Sequence, residues 1–153
     1  MKPRGYYSWH LCRLLLGGVF LYAGLLKGLN IEEFAGQVAA YQLLSYQWNY
    51  IVAAILPFIE LIVGLHLIFN RWVRAAALVA AGLCSTFLIL LGSLLLRGLE
   101  IDCGCFGPQD SSTPLQAILR NLLLLAMAHF VFHLRNHYSL ASIDATRNDL
   151  FYG

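Results

Sequence analysis

Four apolar runs, each close to twenty residues long and parted by short polar breaks, constrain this chain more than any other feature. They fall at about 11–29, 50–69, 75–96 and 115–134. Crossing the hydrocarbon core of a bilayer as a helix takes about 20 mostly apolar residues. In that core every backbone N–H and C=O must find a partner inside the protein, so such runs are helices. Short connections make a compact bundle, and the expected fold is all-α: a four-transmembrane-helix bundle. The composition agrees, with 59% hydrophobic and only 12% charged residues among 153. A soluble domain carries roughly 25% charged residues.

Lys2 and Arg4 precede the first run in the manner of a signal peptide. No small-x-small boundary follows, so it reads as an uncleaved first span. Residues 1–138 are expected to form the transmembrane domain and 139–153 a polar cytoplasmic tail. Lys2, Arg4, Arg13, Arg71, Arg74, Arg135 and Arg147 collect on one side of a four-span chain, and Glu32, Glu33, Glu100, Asp102 and Asp110 on the other. The excess of Lys and Arg on cytoplasmic loops then puts both termini inside and the loop 97–114 outside. For a bacterial inner membrane the outside is the periplasm, where disulfides persist. Lys27 and Arg97 break the charge pattern, and are expected to snorkel to headgroups from the outer ends of their helices. A net charge of +2 with no basic stripe excludes nucleic-acid binding. The chain also lacks a Gly-rich nucleotide motif.

Between the first two spans, Ile31, Phe34, Val38, Tyr41 and Leu44 recur at helical spacing. This predicts a short amphipathic helix at the outer interface. Tyr46, Trp48 and Tyr50 after it, and Tyr6, Tyr7 and Trp9 at the other boundary, read as aromatic belts. Residues 26–32 (LKGLNIE) resemble 96–102 (LRGLEID), 70 positions on, as a duplicated helical hairpin would.

Chemistry concentrates in Asp102-Cys103-Gly104-Cys105-Phe106-Gly107-Pro108, between the third and fourth spans. Gly104 gives the backbone freedom to bring two near-neighbour sulfurs together. A bridge across so small a ring is strained, and strained disulfides are the labile, oxidising ones. It would remove little unfolded-state entropy, which argues against a purely structural staple. Phe106 can fix the depth of the loop, and Gly107-Pro108 turn the chain back toward the last span. Asp102 raises a neighbouring thiol's pKa or accepts its proton, while Arg97 and Arg120 lower it. Two thiolates also suit a soft metal such as Cu(I) or Hg(II). A structural zinc site wants four ligands, and no second cysteine pair exists. The five histidines fall toward the other half of the bundle. No resident metal is assigned. Cys12 and Cys84 lie inside spans and read as small hydrophobes.

Glu60, after Pro57 in the second span, is an ionisable group at membrane depth and so a functional candidate. Lys27 or Arg120 could reach it, and Arg120-Asn121 lies close in depth to the cysteine loop. The alternatives are a polar knot that fixes packing, or a proton relay or quinone anchor beside the thiols. Gly17, Gly18, Gly24 and Gly64 are expected at close helix contacts.

These patterns together resemble the MauE group of methylamine-utilisation membrane proteins, within the wider DoxX-like superfamily. The resemblance rests on Asp-Cys-Gly-Cys-Phe-Gly at 102–107 and Arg120-Asn121 in the last span. It rests also on Arg13, Gly17, Phe20, Gly24 and Lys27 in the first span and on Pro57, Glu60 and Gly64 in the second. It covers about residues 11–134. It implies a redox-associated membrane protein, since the founding type is linked to disulfide formation in a periplasmic dehydrogenase subunit. It thus implies thiol–disulfide exchange at Cys103 and Cys105. The leading expectation from the residues is exchange with an extracytoplasmic thioredoxin-like or client protein, with a membrane quinone near Arg120 and Glu60 as the electron destination, and the alternative direction is an outward shuttle from cytoplasmic reductant through Cys84 and Cys12. The rival expectations are an accessory subunit of a larger membrane complex, with the cysteines as a local clip, and a soft-metal carrier.

Overall fold

The computed structural model describes residues 4–42, 45–97 and 114–152, and side chains within 7–42, 45–97 (except Tyr46) and 115–134. Five helices follow in chain order: α1 (Arg4–Leu29), α2 (Ile31–Ala40), α3 (Tyr46–Ile68), α4 (Val73–Leu96) and α5 (Pro114–Tyr152). No strand occurs among the described residues. Within these helices Tyr7–Leu29, Gln47–Ile68, Val73–Leu96 and Leu115–Leu134 are each long and apolar enough to cross a bilayer. The fold is thus the expected four-span helical bundle with a short helix between the first two spans, in a multi-pass membrane protein. α5 continues past the fourth span to Tyr152, so the polar segment from 139 extends that helix.

α1 packs chiefly on α3 and α4 on α5, while α1–α5 and α3–α4 contacts close the bundle and α2 folds onto α3. Each span turns a stripe inward at alternating spacings of three and four. On α1 the stripe is Trp9, Arg13, Leu16, Phe20, Ala23 and Lys27, all buried. On α5 it is Ala117, Asn121, Ala128 and Val131. The opposite faces carry residues such as Ile89, Leu119 and Leu123, exposed on surfaces that meet lipid.

Glycines set the α1–α3 seam. A Cβ on Gly64 would stand 2.7 Å from Leu21 Cγ and 2.8 Å from the Gly17 carbonyl. One on Gly24 would stand 2.9 Å from the Pro57 carbonyl. Only backbones without side chains approach this closely. Gly18 does not take part: a Cβ there would meet nothing within 4 Å, because one residue further round the helix points away from α3.

Trp9 also departs from expectation. It is no belt residue: it is buried, and its Nε1 donates to the Val131 carbonyl at 3.2 Å. It lies on the same inward stripe as Arg13, which overrides its place near the span's end. Arg13 is buried too, and its Nη1 donates to the carbonyls of Leu67 at 2.8 Å and Ile68 at 3.5 Å. Those belong to the last turn of α3, whose carbonyls lack intrahelical partners and attract a cation. The guanidinium also lies 5.2 Å from the centroid of the Trp9 ring. A residue that reads in sequence as a boundary charge is therefore the side-chain cap of α3.

Candidate functional site

At the end of the bundle that carries α2, the α1 stripe ends in Lys27. Side chains on a helix lean toward its N-terminus. α1 and α3 are antiparallel, so Lys27 on one and Glu60 on the other lean toward each other. Lys27 Nζ meets Glu60 Oε1 at 2.5 Å, with side-chain exposures of only 3% and 9%. Phe34 of α2 and Phe87 of α4 close over the ammonium, their ring centroids 5.3 and 5.6 Å from Nζ. Such faces attract a cation. Lys27 therefore does not snorkel to headgroups. Its Cβ points back into the bundle, where a carboxylate and two rings replace the headgroup.

Beside the pair lies a space of about 60 Å³ whose polar lining comes from Lys27, Glu60, Arg120 and Asn121, next to Cys84. Asn121 Nδ2 donates to the Cys84 carbonyl at 2.9 Å, tying α5 to α4. Glu60 Oε2 is buried with no protein partner. A water needs about 10–15 Å³ of such space and two or more polar neighbours, so the site suits a few waters. Ligand pockets span about 300–1,000 Å³, and a quinone ring does not fit between Glu60 and Arg120.

The structure thus brings Lys27, Glu60, Arg120 and Asn121 to one place. Arg97 stands apart. It is exposed at the end of α4, and its Nη1 donates to the Tyr41 carbonyl at 3.0 Å, joining the ends of α4 and α2. Asp102, Cys103, Gly104, Cys105, Phe106, Gly107 and Pro108 lie outside the described residues. Arg97 and Pro114, which flank that segment, both belong to the α2 end of the bundle. Cys12 is half-buried and Cys84 buried, and they are not joined in a disulfide. Cys12 packs against the Trp9 end of the core. His66 pairs with the Ile62 carbonyl at 2.8 Å through Nδ1, and His129 stacks on His133 with centroids 6.1 Å apart. No cluster of three or more metal-ligating side chains occurs among the described residues.

Sequence reasoning missed the roles of Arg13, Phe34 and Phe87. The signal was present for Arg13. Arg13, Phe20 and Lys27 stand seven apart, as do Gly17 and Gly24, so both sets lie on one face of α1.

Comparison with known proteins gives the chain's family. The family model of methylamine utilisation protein MauE matches residues 6–134. The methylamine utilization proteins MauE of Paracoccus denitrificans and Paracoccus versutus are each 37% identical, over 119 and 118 residues. Both matches take in 76% of this chain and 63% of the relative. The chain therefore spans a little under two thirds of the length of these relatives. No solved structure matches. Because the family match runs through all four spans, the buried pair and the Cys-Gly-Cys segment, the chain belongs to the MauE family of membrane proteins.

Proposed function

We propose that the protein is a membrane thiol–disulfide redox protein acting through Cys103 and Cys105. One observation carries the reading. α4 ends and α5 begins at the α2 end of the bundle, while Cys12 and Cys84 belong to the spans. The chain's adjacent cysteine pair thus belongs to the connection between two spans at one bilayer boundary. Arg71 and Arg74 mark the opposite boundary as the cytoplasmic one. The pair then faces the periplasm across a bacterial inner membrane.

A client thiolate attacks one sulfur of the Cys103–Cys105 disulfide and forms a mixed disulfide. A second client thiolate attacks the client sulfur and releases the pair as two thiols. The client loses two electrons and two protons and the pair gains them. A lipid-soluble quinone then takes both electrons and both protons, becoming the quinol, and the disulfide returns. Lys27, Glu60, Arg120 and Asn121 form a polar floor in the same half of the bundle. The unpartnered Glu60 Oε2 and its water-sized space support a proton-carrying role for that floor. The relatives' names assign them to methylamine utilisation, and a client in such a pathway is part of this proposal.

The test is the thiol state of the pair in membranes, read by acid-quenched alkylation and mass spectrometry while the quinone pool is oxidised or reduced. A disulfide that appears and disappears with the pool supports the reading. A pair that stays locked sinks it, and moves the cysteines to a clip in an accessory subunit.

A further inference from the structure

A mostly apolar cavity in this half lies between α2, α3 and α4. Its volume is about 310 Å³, within the range of small-molecule pockets. Its walls are nearly all apolar. Phe34 comes from α2 and Tyr41 from the turn at its end, Leu56 from α3, and Phe87 and Leu90 from α4. Phe34 and Phe87 are the rings that also lie against the Lys27 ammonium, so the cavity and the ion pair share a wall. Aromatic walls suit a flat ring.

Besides the Tyr41 phenol, two polar side chains face this space. Gln37 lines it, and its Oε1 is buried with no protein partner. Thr86 lines it as well, and its Oγ1 donates to the Gly82 carbonyl at 2.9 Å, which leaves lone pairs to accept. An amide offers both donors and an acceptor. It can donate to a ring carbonyl, or accept from the hydroxyl that replaces that carbonyl on reduction. Thr86 is exposed in the middle of a span, so the cavity opens on a surface that meets lipid. An occupant that arrives by that route is lipid-soluble. A bare acyl chain would fill the walls and leave the Gln37 amide without a polar partner, whereas a quinone carbonyl can accept from its NH2 and a quinol hydroxyl can donate to its oxygen.

We infer that the α2–α3–α4 cavity binds the ring of a tailed para-quinone, with Gln37 as the polar contact. The inference rests on the redox reading of Cys103 and Cys105 and moves the electron acceptor away from the Glu60–Arg120 space to a place of sufficient volume. Tyr41 joins it to the end of α4, since its carbonyl accepts from Arg97, the residue from which the chain leads toward the cysteines.

The experiment uses the full chain in lipid nanodiscs and a photoreactive azidoquinone with an alkyl tail, with labelled peptides mapped by mass spectrometry. Labelling of α2, α3 and α4 at the cavity is expected. It should be displaced by a short-tailed para-quinone and not by a saturated alcohol of equal tail length. Gln37→Leu, which keeps the shape of the side chain, should lower it at least fivefold, and Val52→Trp, at an α3 residue that also lines the cavity, should abolish it by filling the space. Equal displacement by the alcohol would make the cavity a lipid-chain pocket and overturn the inference. So would labelling spread over lipid-facing residues and unchanged in Gln37→Leu, a result that holds even if Val52→Trp fails to fold. The Cys103→Ser/Cys105→Ser variant should label as the parent does. Labelling at the cavity in a parent protein whose Cys103 and Cys105 form no mixed disulfide would therefore remove the thiol reading alone. Retained mixed disulfides without cavity labelling remove the quinone site alone.

Discussion

Lys27→Met is the sharpest test of the buried pair. Methionine keeps the length of the side chain and can still lie against Phe34 and Phe87. What disappears is the cation 2.5 Å from Glu60 Oε1, in a site where the two side chains are 3% and 9% exposed. Removing one member of a buried pair leaves an uncompensated charge and costs about 3–5 kcal/mol. The lost cation–π contacts add about 0.5–2 kcal/mol, which the sulfur partly restores. Glu60→Gln should cost less, because the ammonium keeps an amide oxygen and two ring faces. The double variant Lys27→Met/Glu60→Gln buries no charge at all. Its cost should fall short of the sum of the singles by at least about 2 kcal/mol, the coupling expected of residues in direct contact. In a chain of this size each kcal/mol moves the midpoint by about 2–4 °C. Thermal unfolding of monodisperse detergent-solubilised protein should therefore show Lys27→Met lower by on the order of 10 °C, with much of that regained in the double. If the two singles add, or if Lys27→Met melts with the parent, the two charges are solvated separately rather than paired, and the argument for a coupled Lys27–Glu60 pair fails.

Gly64→Ala puts a Cβ against the backbone of α1 as well as Leu21, and overpacking of that kind costs about 1–3 kcal/mol. Gly18→Ala meets nothing and should melt at or slightly above the parent, so the pair of variants reads the seam by thermal unfolding alone. Arg13→Met uncaps the last carbonyls of α3, at about 1–3 kcal/mol for buried acceptors left unmet, and limited proteolysis should find the α3–α4 turn more readily cut. Cys103→Ser/Cys105→Ser should leave the melting midpoint unchanged within about 1 °C while every mixed disulfide with a client disappears on non-reducing gels, since the loop closed by such a bridge is too short to stabilise the fold.

The four spans were legible because hydropathy over twenty residues reports a one-dimensional quantity, the length of chain that lipid tolerates. The same signal misplaced what depends on direction around a helix. Trp9 and Lys27 stand near span ends, so hydropathy reads both as boundary residues. Their place on the stripe with Leu16 and Phe20 turns both into the bundle. Gly18 failed for the same reason, since composition marks a glycine as small without saying which way it faces. The α2 helix was legible from its period, and Phe34 is its buried anchor, but the assigned helix ends at Ala40. Tyr41, with Gln42 following at φ 53°, turns the chain there before Leu44. Of the candidate site, Glu60 announced itself by depth. Which cation met it depended on the register of α1 against α3, which rests on contacts far apart in sequence. The cavity beside Gln37 gave no sequence signal, because its walls come from three helices with ordinary apolar residues.

A buried ion pair is not the cheapest way to hold two helices together in a bilayer. Hydrophobic side chains of the same volume often serve as well or better. What the charges add is register. A seam of glycines lets two helices slide, because each close contact resembles the next. Arg13 on the carbonyls of Leu67 and Ile68, and Lys27 on Glu60, pin α1 to α3 at points 14 residues apart on α1, about 21 Å. The upper pin also carries Phe34, and with it α2 and one wall of the cavity. Stability and positioning should therefore separate in Lys27→Met/Glu60→Leu. That variant buries no charge and should melt within about 3 °C of the parent. With no cation under Phe34 and no partner fixing the register, azidoquinone labelling at the cavity should still fall severalfold. A variant that melts like the parent and labels like it would show that the pair positions nothing. α2 would then be held by its packing on α3 and by the Arg97–Tyr41 hydrogen bond.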